Sequence, residues 1–279
     1  MRPSACSGRA VVRRGAAAVV VALVTPTASA AQVCGLTDVA RSLLPADPPA
    51  AYGYDAPPPA PTPFEEVALG VGHAHRAPDE PPTGPPGDHS WMQRVELPLS
   101  ETPGAEPSAW IARGWIVVAD RDPRPLTIWG LIETGYEERS FMVLETRQDE
   151  WLRIRYARDE ENWLSAWVSR CALGASPAPL AYAAWSEWLL GDDLSPLFVR
   201  TGLPLALHAE PSDASSTVAF AMEGDTLEPH EVAGEWMRVT LKQPSDYCRP
   251  DVASASHGGW VRWLTEDRGP RLWYFTRGC

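Results

Sequence analysis

The chain of 279 residues carries 24 Lys and Arg against 36 Asp and Glu, a net charge of −12, together with 29 prolines and 13 tryptophans. An acidic surface of this size repels phosphates, so nucleic acid is excluded as a partner on charge alone. Thirteen of the prolines crowd between Pro45 and Pro86, so part of the chain lacks the amide donors that helices and sheets require.

In chain order, Arg2, Arg9, Arg13 and Arg14 make a basic start, Ala16 to Val24 is a short apolar run, and Ala28-Ser29-Ala30 offers a cleavage site. That is the pattern of a secretory signal peptide, residues 1–30, with a mature start near Ala31. The apolar run is too short for a permanent transmembrane helix, so no stable membrane span is expected. Removing the leader takes away four arginines and no acid, which moves the net charge from −12 to −16. The destination is periplasmic, cell-surface or secreted. Cys6 leaves with the leader, and Cys34, Cys171, Cys248 and Cys279 remain as candidate disulfide partners.

Residues 31–90 read as a short helix followed by a linker. Thr37 is placed to cap a helix to Leu44, with Leu36, Val39, Ala40 and Leu43 on one face. Pro45 to Pro86 is then expected to be an extended, disordered spacer. His73-Ala74-His75, with Asp88 and His89 nearby, has metal-ligating residue types, but a spacer holds no fixed geometry, so no metal is assigned.

From Trp91 the chain becomes β-rich. Ala112–Ala119, Leu126–Glu133, Arg139–Glu145 and Trp151–Tyr156 read as strands of a first module over residues 91–173. Tyr182, Trp185, Trp188 and Leu189 fall at helical spacing before Gly191, so Pro179 to Leu190 is expected to be a helix within a connector, residues 174–201. A second module spans residues 202–279.

The two modules echo each other. Leu97-Pro98-Leu99, Glu150-Trp151-Leu152-Arg153-Ile154 and Trp167-Val168 are answered by Leu203-Pro204-Leu205, Glu235-Trp236-Met237-Arg238-Val239 and Trp260-Val261. The second copy, with Leu207-His208-Ala209-Glu210-Pro211-Ser212, the Gly224-Asp225 turn, Gly234-Glu235-Trp236-Met237-Arg238-Val239 and Gly259-Trp260-Val261, resembles the bacterial SH3-like (SH3b) domain. The first copy matches that pattern only over its second half, and Gln243 to His257 is longer than the family's usual turn. The resemblance implies a mainly β protein of two small SH3-like β-barrel modules joined by a short helix. It also implies a non-catalytic function, the binding of a cell-wall peptide or of an envelope protein partner.

Trp151, Trp167, Trp236 and Trp260 are expected to fill the two cores. Trp263, Tyr247, Trp273 and Tyr274 are the candidate ligand-binding residues, because alternation turns Trp263 away from Trp260 and three aromatics in a row cannot all face one core. Cys248 with Cys279 would pin the insertion and the C-terminal residues, leaving Cys34 to pair with Cys171. Neither a Gly-x-Ser-x-Gly nor a His-Glu-x-x-His sequence is present, so no catalytic residue and no cofactor is assigned. A disulfide-pinned structural protein that binds nothing is the main rival, and a cell-wall hydrolase the second.

Overall fold

Thr37 stops the backbone in an extended conformation and its Oγ1 accepts from the Ala40 amide, which starts helix α1 (Asp38–Leu43) where the sequence places it. The computed structural model describes residues 34–49, 67–79, 89–158, 163–191, 196–200, 204–245, 247, 253–265 and 269–274. The expected leader, Cys248 and Cys279 lie outside these residues. Ala40 packs on Trp110 and Val117, with Leu36, Leu43, Leu44 and Trp115 around them. Cys34 and Cys171 form a disulfide with Cα atoms 5.3 Å apart, tying α1 to the opposite end of the first half.

The remainder is mainly β and antiparallel throughout. The first half holds β1 (Gly72–Arg76), β2 (Glu96–Leu99), β3 (Ala109–Ala112), β4 (Trp115–Val118), β5 (Arg121–Pro125), β6 (Ile132–Gly135), β7 (Glu138–Arg147), β8 (Trp151–Arg158) and β9 (Trp163–Ser169). Helix α2 (Arg170–Ala175), strand β10 (Leu180–Ala184) and the single turn α3 (Trp185–Trp188) follow. The second half holds β11 (Leu197–Val199), β12 (Leu205–His208), β13 (Thr217–Ala221), β14 (Thr226–Ala233), β15 (Trp236–Gln243) and β16 (Ala255–Arg262), then the short β17 (Leu264–Thr265), β18 (Gly269–Pro270) and β19 (Leu272–Trp273). One sheet runs β10-β1-β7-β8-β9 with β6 also on β7, a second runs β2-β3-β4-β5, and a third runs β13-β12-β16-β15-β14-β11-β19. Among the described residues no helix is long and apolar enough to cross a membrane.

Three expectations are corrected. The spacer is not unstructured throughout: β1 lies inside it, between β7 and β10. Gly72-His73-Ala74-His75-Arg76 contains no proline, so every residue keeps its amide donor for the two ladders. Residues 50–66 and 80–88 lie outside the described residues. The span expected to be one helix is a strand, β10, followed by the single turn α3, because Leu180 to Ala184 supply the partner that β1 needs. The strand expected over Ala112–Ala119 is a hairpin of β3 and β4, turned at Arg113 and Gly114, whose φ values are 53° and 80°.

Two three-stranded segments, β7-β8-β9 and β14-β15-β16, pair in comparable registers. In β7-β8-β9 the cross-strand pairs are Glu145↔Arg153, Leu152↔Val168 and Arg153↔Trp167, with a bulge between Val143 and Glu145. In β14-β15-β16 they are Glu231↔Arg238, Met237↔Val261 and Arg238↔Trp260, with a bulge between Pro229 and Glu231. Both Glu–Arg pairs are ion pairs, at 3.7 Å and 2.9 Å. Ser100, after β2, bridges to Trp167 as His208 of β12 bridges to Trp260. Leu205-Ala206-Leu207 therefore stands where Leu97-Pro98-Leu99 stands, two residues on from the Leu-Pro-Leu echo. A slip of two keeps the leucines on the same face, which is why the echo survives it.

Of the repeated tryptophans, Trp167 and Trp236 are buried and Trp151 and Trp260 half-buried, but none belongs to the two large core clusters. Leu152, Ile154 and Val168 lie in the first core, Met237, Val239, Leu241 and Val261 in the second, and the alternating face carries Trp151, Trp167, Trp236 and Trp260. The other residues of that face in β15 are Arg238, Thr240 and Lys242, among which Trp236 is the one buried side chain. The second core draws on both halves: Leu69, Ile132, Met142 and Trp185 pack with Leu205, Met237, Trp263 and Trp273. Two positions at this seam need glycine. A Cβ on Gly70 (φ +63°) would meet the Val143 carbonyl oxygen at 2.3 Å, and one on Gly269 (φ +78°) would meet the Gly70 carbonyl oxygen at 2.3 Å.

Candidate functional site

Three of the four candidate ligand-binding residues are buried, which corrects the expectation of an open aromatic groove. Trp263 is 2% exposed and donates from Nε1 to the Gly234 carbonyl at 3.1 Å. Trp273 and Tyr274 stack on each other with centroids 4.8 Å apart, inside the same core. Tyr247 stands apart from that pair, half-buried and edge-on to Phe198 at 5.2 Å. The face assignment failed because it set Trp260 in the core: Val261 faces inward instead, and alternation turns Trp263 to the same inward side. Trp263→Ala should therefore cost about 3–5 kcal/mol by leaving a cavity, more than Trp236→Ala. Chemical denaturation of the two variants checks the ranking.

Trp273 and Tyr274 lead to a cluster that sequence reasoning dismissed. On the face of the first sheet turned towards the second half, β1 presents His73 and His75. His73 lies parallel to Trp185 (centroids 4.7 Å, 9°) and edge-on to Trp188 (4.4 Å). His75 stacks on His73 at 5.0 Å and lies 5.3 Å from Trp188. Ala181 and Ala183 stand opposite the two histidines on β10, so no large side chain from that strand competes for the space. Trp185 Nε1 donates to the Leu69 carbonyl (2.9 Å), while Trp188 Nε1 donates to the Tyr274 hydroxyl (3.0 Å), which donates to the Thr134 carbonyl (2.9 Å).

His73 is fully buried, and neither ring nitrogen has a hydrogen-bond partner among the described residues. Burial, with the neighbouring His75 adding to it, lowers its pKa to about 3. Burial likewise holds His75 below the ordinary histidine value, opposed by its bond to Arg76 and by Glu138. It also pushes the Tyr274 phenol well above the usual tyrosine value. At neutral pH the cluster is uncharged at all three groups. Its signal in the sequence was His-x-His read on a strand period, which the proline-rich flanks concealed.

No family model matches the chain, and no curated protein matches it.

The exposed counterpart is β13. It is the outermost strand of its sheet, and Val218, Phe220 and, just beyond it, Met222 are 44%, 55% and 47% exposed, while Ala219 and Ala221 turn inward. Three large apolar side chains in a row on an outer strand form a surface suited to pairing with another extended segment. The turn after β13 is held by Asp225, whose carboxylate accepts from the Met222 amide at 2.7 Å. Gln243 Nε2 donates to the Phe220 carbonyl at 2.6 Å, so β15 braces the same end. Exposed Glu210 and Glu223 lie at the two ends of the row. Among the described residues no three His, Cys, Asp or Glu side chains converge.

Proposed function

We propose that the chain is an exported, non-catalytic binding protein of two fused SH3-like units, and that β13 takes an extended cell-wall peptide as an added strand. The fold part of the reading rests on the equivalent registers of β7-β8-β9 and β14-β15-β16, down to their bulges and Glu–Arg pairs. The turn of residues 222–225 also joins β13 to β14, which stand apart in the strand order, so the sheet has to curl towards closure.

The observation that carries the binding part is the exposed row Val218, Phe220 and Met222 on an outermost strand. Main-chain pairing supplies affinity in strand addition, and alternate side chains supply selectivity. The carboxylates of Glu210 and Glu223 favour a peptide bearing free amino groups, and the net charge of −12 disfavours a second copy of the chain.

The test is co-sedimentation of the protein with purified peptidoglycan, beside the variant Phe220→Asp. Retention of the parent and a loss of tenfold or more for the variant is the expected result. Equal retention of both displaces the site from β13. Retention of neither, with capture of an envelope protein by β13, turns the reading to a protein partner, and capture of nothing leaves the structural role.

A further inference from the structure

We propose that the outward face of the β2-β3-β4-β5 sheet, centred on Trp110 and Trp115, is a binding surface for a proline-rich peptide, and that residues 36–49 of the chain occupy it in cis, latched by the Cys34–Cys171 bridge.

The sheet does not need this cover to fold. Leu97, Leu99, Ile111 and Ile116 send one of its faces into the first core, and the alternate residues Trp110, Trp115 and Val117 make the other. Leu36, Ala40, Leu43 and Leu44 pack on that second face, in a small cluster separate from both large cores. A unit with so few buried contacts opens at lower free energy than the core beneath it. The second half leaves the same position bare. Pro98↔Trp110 in the first half corresponds to Ala206↔Phe220 in the second, yet Trp110 is 3% exposed and Phe220 55%.

The contacts after α1 select the peptide. Beyond Leu44 (φ −71°, ψ 133°), Pro45-Ala46-Asp47-Pro48-Pro49 forms neither helix nor strand. Trp115 Nε1 donates to the Asp47 carbonyl at 2.9 Å, and the Arg113 guanidinium donates to the Ala46 carbonyl. Both side chains donate and cannot accept. Proline has no amide N–H, so a proline-rich segment brings carbonyls to such donors while leaving few donors of its own unpaired. Its fixed φ also lowers the cost of ordering it. Pro49 is buried against Gly114, where an added Cβ would lie 3.1 Å from the Pro49 Cγ and Cδ atoms. Trp110 Nε1, buried in the same cluster, has no hydrogen-bond partner among the described residues. The cis segment therefore leaves one donor of the face unused, a cost that a better-matched peptide removes.

A peptide arriving in trans competes with a tethered segment, whose effective concentration is high, so the bridge decides whether the face is open. The surface is separate from the β13 row, and its test uses no cell-wall material, so either reading can fail alone.

The test is fluorescence polarisation of a labelled synthetic peptide of residues 36–49 with two full-length chains. One is the oxidised parent. The other is opened by Cys34→Ser, Cys171→Ser and Ala40→Asp, the last placing a charge in the buried face of α1. The expected result is binding at least tenfold tighter to the opened chain than to the parent. Adding Trp115→Phe should weaken it about threefold, the loss of one hydrogen bond. Alanine in place of Pro45, Pro48 and Pro49 in the peptide should weaken it at least tenfold. Circular dichroism checks the fold, and the parent reduced with dithiothreitol is the second opened form. Binding no tighter to an opened chain, no effect of Trp115→Phe, or equal binding of the alanine peptide overturns the proposal. Loss of the native fold in both opened forms also overturns it, because residues 36–49 would then belong to the core.

Discussion

Replacing Cys34 or Cys171 by serine is expected to destabilise the protein by up to about 5 kcal/mol. The bridge spans a sequence separation of 137, and in the chain-entropy picture a closed loop of that length removes about 5 kcal/mol of unfolded-state freedom. The native side of the balance is local. Cys34 precedes the helix whose Ala40 packs on Trp110 and Val117, and Cys171 sits in α2, capped by the Ser169 side chain. Without the bridge, α1 is held chiefly by that small cluster and by Trp115 Nε1 donating to the Asp47 carbonyl at 2.9 Å. Guanidinium denaturation of parent and variant, followed by tryptophan emission, measures the effect. A midpoint unchanged by the substitution, or by reduction of the parent, contradicts it.

The second large effect is acid destabilisation. His73 has a folded-state pKa of about 3 against an ordinary value of 6.5, so the unfolded chain binds its proton first. The contribution of neutral His73 is complete above pH 6.5 and is lost as the pH falls from 6.5 towards 3, by up to about 5 kcal/mol. His75, stacked on it and also lowered, acts in the same direction, while the carboxylate of Glu138 on β7 partly offsets the charge on His75. Carboxylates across the molecule titrate in the same window, so the informative quantity is a difference in slope. His73→Leu should flatten the fall in stability between pH 6.5 and 4 relative to the parent. Parallel slopes would mean that His73 is not held neutral.

What the sequence disclosed, and what it hid, follow one physical division. Local signals were legible: the Thr37 cap, β8 beginning at Trp151 and the Gly224-Asp225 turn all have counterparts in the structure, and the pairing of Cys34 with Cys171 was reached over a separation of 137 only because so few cysteines remained to pair. Long-range strand pairing was not. The strand of His73 and His75 has too few residues to stand out among prolines, and its identity depends on β7 and β10, which are far away in sequence. The same strand explains the misread helix, since Leu180 to Ala184 satisfy a helical period and become extended only because β1 requires a partner. The tryptophans misled for another reason. Bulk suggested the core, but the period-two pattern of Met237, Val239 and Leu241 had already taken the inward face and left Trp236 with Arg238 and Thr240. Reading that alternation before reading residue size would have placed Trp151 and Trp236 correctly. The aromatic cluster was half visible: Trp273 and Tyr274 were singled out, but as a surface, when the histidines and Trp185 that bury them come from the other half.

The most direct test of the binding account is amide hydrogen exchange of the full-length protein with and without soluble cell-wall peptide. Added-strand pairing predicts slowed exchange concentrated in residues 217–222, with the matching first-half strand, Ala109–Ala112, unchanged because β4 already covers its other edge. No slowing at β13 under saturating peptide, or slowing confined to other strands, would contradict the account.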